Sequence, residues 1–131
     1  MCNQKNKDLA MYRLNKAKQD LADAKRTLEL KMYDTAANRS YYAIFHSARA
    51  ILALDGQDYK KHSGVISNFQ KNYIKTGIFD KSMSNIIKSA FDIRNETDYE
   101  DFYVVPKEDV IRQVAEAEIF VNTVESYISN K

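Results

Sequence analysis

The sequence predicts an all-α fold, an up-and-down bundle of about five helices forming a single domain. Three observations carry that expectation. Turn residues are scarce: the 131 residues include three glycines and one proline, and Asp55-Gly56 is the lone dipeptide of the hairpin-turn type. Apolar residues recur in steps of three and four, the period of a helix face rather than of a strand. Two of these patterns, one near each end of the chain, are heptad seams that need a neighbouring helix.

Residues 1–6 read as a frayed tail. From Lys7 to about Lys31, Ala10, Leu14, Ala17, Leu21, Ala24 and Leu28 form the first seam, which predicts one long helix. Met32 to Thr35 reads as a short connection, with Asp34 or Thr35 as N-cap of the next helix. That second helix, about Thr35 to Leu54, is apolar nearly all round (Ala36, Ala37, Tyr41, Ile44, Phe45, Ala48, Ile51, Leu52) and should be the central one. Its polar exceptions, Arg39, Tyr42, His46 and Arg49, share a three-four-three spacing and so form one stripe. Asp55-Gly56 supplies a glycine where the helix should end.

After a polar loop from Gln57 to Lys61, His62 or Ser63 opens a third helix that stops at Gly77. It carries Val65, Ile66, Phe69, Tyr73 and Ile74. Ser63 suits an N-cap, and Gly64 permits close packing. Asp80 is an apt N-cap for a fourth helix running to about Tyr99. Glu100 to Pro106 is a loop, extended before the proline. A fifth helix from Lys107 to about Ile128 bears the second seam, Val110, Val114, Ala117, Val121, Val124 and Ile128, and is expected to pair with the first.

The fourth helix ends unusually. Met83, Ile87 and Ala90 define its apolar face, Arg94 is the next residue on that face, and Asp98 follows one turn later. An arginine placed there must be paired or must face a partner, because an unpaired buried charge costs several kcal/mol. The pair itself is worth only about 0.3–0.5 kcal/mol as a helix-surface bridge.

Composition removes several function classes. The single cysteine, Cys2, lies in the tail, so neither a disulfide framework nor a thiolate metal site can be assembled, which fits a reducing cytoplasm. No apolar run reaches the roughly 18 residues of a membrane helix, and no signal-peptide pattern is present. Motifs for phosphate loops, dinucleotide folds, zinc hydrolases and serine nucleophiles are absent. The two histidines belong to different helices, so no metal and no cofactor is expected. The net charge of +2 is unevenly spread: residues 1–32 hold eight Lys/Arg against four acids, and residues 92–118 hold nine acids against three cations. Most of these charges read as solvated helix faces.

Two polar constellations remain, Arg94/Asp98/Tyr99 and the Arg39/Tyr42/His46/Arg49 stripe. If the second and fourth helices touch, both share one cleft. Arginines with a histidine and tyrosines suit a phosphate or RNA backbone. They also suit acid–base cleavage assisted by the 2′-hydroxyl.

At these residues the chain resembles the HEPN superfamily (higher eukaryote and prokaryote nucleotide-binding domain), in particular its small stand-alone prokaryotic members. The resemblance covers about residues 8–129 and rests on three segments. They are Ala37-Asn38-Arg39-Ser40-Tyr41-Tyr42-Ala43-Ile44-Phe45-His46; Lys61-His62-Ser63-Gly64-Val65-Ile66-Ser67-Asn68-Phe69; and Arg94 to Tyr99 with Asp101-Phe102-Tyr103. It implies an all-α bundle, frequently a homodimer, and in many members a metal-independent ribonuclease. There an arginine, separated by four to six residues from a histidine, holds the scissile phosphate while the histidine does acid–base work. Arg94 matches that arginine, but four residues on stands Asp98, then Tyr99 and Glu100, and no histidine follows within the window. His46 is the candidate to replace the missing histidine in space, with Arg39, Tyr42, Arg49, Asp98, Tyr99 and His62 as binding candidates.

The resemblance also implies a small nucleotidyltransferase partner in a toxin–antitoxin or defence-type pair, with RNA or a nucleotide as ligand. In some such pairs the partner adds AMP to a tyrosine just after the motif. Tyr99 is the nearest equivalent here and Tyr103 the second. Two alternatives stay open: a non-catalytic subunit docking the nucleotidyltransferase, in which Arg94 and Asp98 form a buried pair, and a small nucleotide-binding protein with the polar stripe as its pocket.

Overall fold

A computed structural model describes residues 3–98 and 103–131, and Tyr99 by its backbone. The described residues form five α-helices: α1 (Gln4–Glu29), α2 (Tyr33–Leu54), α3 (His62–Phe69), α4 (Lys81–Tyr99) and α5 (Lys107–Ser129). A π-helical turn over Gln70–Ile74 prolongs α3. No strand occurs among the described residues.

α2 is the hub, packing on α1, α3, α4 and α5. Small residues make this crowding workable. Ala10, Ala17 and Ala24 on α1, and Ala36, Ala43, Ala48 and Ala50 on α2, are all fully buried. A larger side chain at any of them would overpack the seam by about 1–3 kcal/mol. The expected pairing of the first and last helices is present too, with Lys18–Glu125 at 2.7 Å and Lys25–Glu118 at 2.9 Å along its rim. Both pairs are exposed and stabilise little. Below α2, Phe69, Tyr73, Phe79 and Phe120 form an aromatic group that seats α3 and its π-turn on α5.

Helix starts depart from the sequence expectation in three places. α1 begins at Gln4 rather than Lys7, because the Asn3 side chain accepts from the Lys5 N–H and caps the first turn. α2 begins at Tyr33, earlier than Asp34 or Thr35 as N-cap would allow; Met32 precedes it without a side-chain cap, and Asp34 lies in the first turn. There its carboxylate faces the positive end of the helix dipole. α3 begins at His62, so Ser63 is inside the helix and does not cap it. Asp80 does cap α4, accepting from the Ser82 N–H at 3.1 Å. Gly56 and Gly77 take φ values of 77° and 79°, the left-handed conformation that ends α2 and the π-turn segment.

Candidate functional site

The helix periodicity puts Arg94 at the end of the buried face of α4, beyond Met83, Ile87 and Ala90, each at most 3% exposed. At that level α4 crosses α2 and the start of α3. The guanidinium therefore meets aromatic rings and an imidazole rather than aliphatic core. Its carbon lies 5.2 Å from the Tyr41 ring centre and 5.8 Å from that of Tyr42. Arg94 Nη1 is 3.1 Å from His62 Nδ1, and the buried Tyr41 hydroxyl is 2.7 Å from the same nitrogen.

Both groups are donors aimed at one lone pair. That arrangement requires an unprotonated Nδ1, which places the imidazole proton on Nε2. Electrostatics agree: burial, then the Arg94 and Arg49 charges, lower the His62 pKa, against a smaller opposing effect of Asp98. Burial also raises the Tyr41 pKa, so the phenol keeps its proton. Phe45 stacks on His62 with ring centres 4.0 Å apart and planes 19° from parallel, which sets the imidazole orientation.

Asp98 pairs with Arg94 at 3.4 Å, but the two side chains are 44% and 26% exposed. This is a rim contact, not the buried pair of the interaction-subunit alternative. Such a pair contributes at most about 0.5 kcal/mol, so a phosphate can displace it.

The α2 stripe is in reach of Arg94 through Tyr42, whose ring also carries the Arg39 guanidinium at 5.4 Å. Beyond that shared ring the stripe turns to other partners. Arg39 pairs with Asp20 at 2.9 Å; Arg49 and Arg13 share Asp58 at 3.0 and 3.3 Å. His46 faces Asp20 at 3.8 Å, too far for a hydrogen bond. Burial, with Lys16, Arg49, Arg39 and Arg13 around it, depresses its pKa to about 4. Thus His62, and not His46, is the histidine in contact with Arg94. Tyr103 is half-buried, and its pKa is raised chiefly by a bond to Glu96. The side chain of Tyr99 lies outside the described residues.

Next to Arg94 is a small cavity between α2, α4 and the start of α5, of about 40 Å³. Tyr41, Arg94, Asp98, Asn38, Thr97 and Gln113 supply its polar lining. Neither Tyr41 nor Gln113 is singled out by sequence reasoning. Tyr41 stands inside a quoted family segment, yet its character is that of a core aromatic. Gln113 gives a usable signal: it is a polar residue one position from Val114 in the seam of the fifth helix. Among the described residues, no three His, Cys, Asp or Glu side chains gather as a metal site.

Comparison with known proteins adds the family. The model for the HEPN domain matches residues 10–127. A UPF0332 protein of Thermotoga maritima is 32% identical over 128 residues, 98% of this chain and 96% of the relative. One from Archaeoglobus fulgidus is 34% identical over 117 residues, 89% and 93% of the two chains. A Methanocaldococcus jannaschii protein named "putative toxin" is 35% identical over 108 residues, 82% of this chain and 80% of its own.

Proposed function

The chain belongs to the HEPN domain family, and on that premise we propose that it is the RNA-binding toxin of a toxin–antitoxin pair. In this reading a phosphodiester sits on Arg94, and His62 supplies the acid–base group that the linear motif lacks. The supporting observation is the 3.1 Å contact between Arg94 Nη1 and His62 Nδ1. It joins an arginine and a histidine 32 residues apart in sequence. The toxin part draws on the name of the Methanocaldococcus relative. A small nucleotidyltransferase as antitoxin, and a second copy of the chain across the cleft, rest on the family resemblance.

The chemistry proceeds from charges already in place. An arginine fork binds a phosphate through two parallel N–H donors. Once an anion occupies Arg94, the cation no longer depresses the His62 pKa as strongly, and Nδ1 loses one of its two donors. The Tyr41 hydroxyl then rotates off Nδ1, and the freed lone pair accepts the proton of the adjacent 2′-hydroxyl. The 2′-oxygen bonds to phosphorus, the bond from phosphorus to the 5′-oxygen breaks, and the departing oxygen takes a proton from solvent. The products are a 2′,3′-cyclic phosphate and a 5′-hydroxyl end. Phe45, stacked on the ring, keeps the imidazole in place throughout.

The test is metal-free incubation of labelled RNA with wild type, Arg94→Ala, His62→Ala and His46→Ala, each checked for helicity. Cleavage is expected in wild type and His46→Ala and is lost in the other two. Retained cleavage in His62→Ala would remove its role. Absence of both binding and cleavage in wild type would leave the interaction-subunit reading, in which Arg94 holds α4 against α2.

A further inference from the structure

Tyr12 and Lys16 on α1 contribute neither to the core nor to an ion pair among the described residues. Tyr12 is 63% exposed, so its ring offers an aromatic surface to solvent. The Lys16 ammonium lies 5.7 Å from the centre of that ring, one turn further along the helix. Asp20 follows after another turn, on the side of α1 that meets the α2 stripe, and pairs there with Arg39 at 2.9 Å. Lys16 and Arg39 both act on the Asp20 carboxylate and on His46, which places the two cations close together.

Positive charge exceeds negative along this side. Asp20 and Asp58 answer three arginines, Arg13, Arg39 and Arg49, and Lys16 adds a further cation. Arg39 is not used up by its pairing. Asn38 and Asp20 take three of its five N–H donors, and its side chain is 35% exposed. Its guanidinium shares the Tyr42 ring with Arg94, at 5.4 and 5.8 Å from the ring centre. The two guanidinium carbons are therefore at most about 11 Å apart, those two distances laid end to end. A few nucleotides of one strand span that separation.

We propose that this side of α1 and α2 is a track for single-stranded RNA that continues from the Arg94 site. Arg39 and Lys16 hold phosphates beyond the scissile one, and the exposed Tyr12 ring stacks a base. The track rests on Arg94 being the phosphate ligand, and it makes the substrate an extended single strand. Cations alternating with aromatic rings bind single strands with little regard to sequence, because every base has a face to stack. A duplex keeps its bases paired and offers Tyr12 none.

The test compares a trinucleotide and a dodecanucleotide of 2′-O-methyl RNA, which lack the nucleophile and so are not consumed, by fluorescence anisotropy. Lys16→Ala and Tyr12→Ala alter exposed side chains, and each variant is checked for helicity. Tyr12→Ala is expected to bind the dodecanucleotide about 5-fold or more weakly, the worth of one stacked base. Lys16→Ala should reduce the slope of log affinity against log salt by about 0.7, one phosphate contact on a single strand. The trinucleotide, held at Arg94, should bind both variants as it binds wild type. Lys18→Ala removes an equal charge from the side of α1 that pairs with Glu125 of α5, and it should leave the dodecanucleotide unaffected. A dodecanucleotide that is weakened by Arg94→Ala but indifferent to Lys16→Ala and Tyr12→Ala would overturn the track and leave the phosphate site standing. Equal losses in Lys16→Ala and Lys18→Ala, with none in Tyr12→Ala, would reduce the effect to net charge and also overturn the track. Binding that depends on Lys16 and Tyr12 but not on Arg94 would overturn the phosphate reading, and with it the continuity proposed here. If neither oligonucleotide binds wild type, both fall.

Discussion

Two charged clusters flank α2, and they use arginine in opposite ways. On the α1 side, Arg39 has Asp20 at 2.9 Å, and Arg49 and Arg13 divide Asp58. Asp20 is only 8% exposed, although burial raises its pKa. Each cation there is answered by a carboxylate from elsewhere in the chain. On the α4 side, Arg94 is laid over Tyr41 and Tyr42 and faces a neutral histidine, with one half-exposed carboxylate at its edge. Aromatic faces and imidazole lone pairs hold a guanidinium without neutralising it. The first cluster therefore holds helices together, and the second leaves its charge unneutralised, as the proposed phosphate site requires. Arg39 belongs to both, since it touches Tyr42 as well as Asp20.

The largest expected effects separate the clusters by activity. His62→Ala should lower RNA cleavage by about 10²–10⁴, the usual worth of a positioned acid–base group. Arg94→Ala should lose about 10² or more through its missing contact to the phosphate. Arg49→Ala and His46→Ala on the other side should stay within a few-fold of wild type in the same single-turnover assay. If cleavage follows His46 instead, the division between the clusters is wrong.

Stability should give the reverse ranking. Asp20→Ala leaves Arg39 without its carboxylate in a partly buried position and should cost about 1–3 kcal/mol, less than a fully buried pair because Arg39 is partly exposed. For a chain of this length that is roughly 3–10 °C in thermal midpoint. Arg94→Ala removes stacking and a weak bridge and should cost less, about 1 kcal/mol. Equal losses in thermal melts of the two variants would erase the contrast.

The helices were legible in the sequence, because apolar periodicity survives any tertiary context. The Ala10-to-Leu28 seam needs only a partner, and α2 and α5 provide it. Helix starts were less legible: Asn3 caps a turn that the apolar pattern does not reach. Arg94 stood out as a charge on an apolar face, and the α2 stripe stood out by spacing. What spacing cannot convey is which distant group meets each charge. His62 reaches Arg94 across 32 residues, and Asp20 reaches Arg39 across 19. Those contacts are created by residues 75–80, between the π-turn and α4, and by the α1–α2 turn, where no periodicity exists. Gln113 was hidden for a related reason, since its role depends on the Ala37 carbonyl one helix away.

Acid titration offers a smaller effect that again distinguishes the sides. The native His46 pKa is about 4, below the ordinary 6.5. Between those values the unfolded chain holds a proton that the native state does not. Stability should therefore rise with pH across that window and fall away as pH drops through it. His46→Gln should flatten this slope. Asp20, with a raised pKa, contributes the opposite slope at the acidic end. It is present in both proteins, so the difference between their denaturation curves reads His46. An unchanged slope would mean that His46 is not held neutral by its surroundings.

The smallest effect lies at the edge of the Arg94 cluster. Asp98→Asn removes the carboxylate that competes with phosphate for the guanidinium, so RNA affinity should rise by about 2–3-fold, the worth of an exposed pair. The same carboxylate favours the protonated form of His62. Its removal should lower the His62 pKa further, moving the acidic limb of the kcat/KM profile to lower pH. The two effects come from one charge acting on two neighbours, and both must appear together. Tighter RNA binding with an unmoved acidic limb would show that the titrating base is not the histidine beside Arg94.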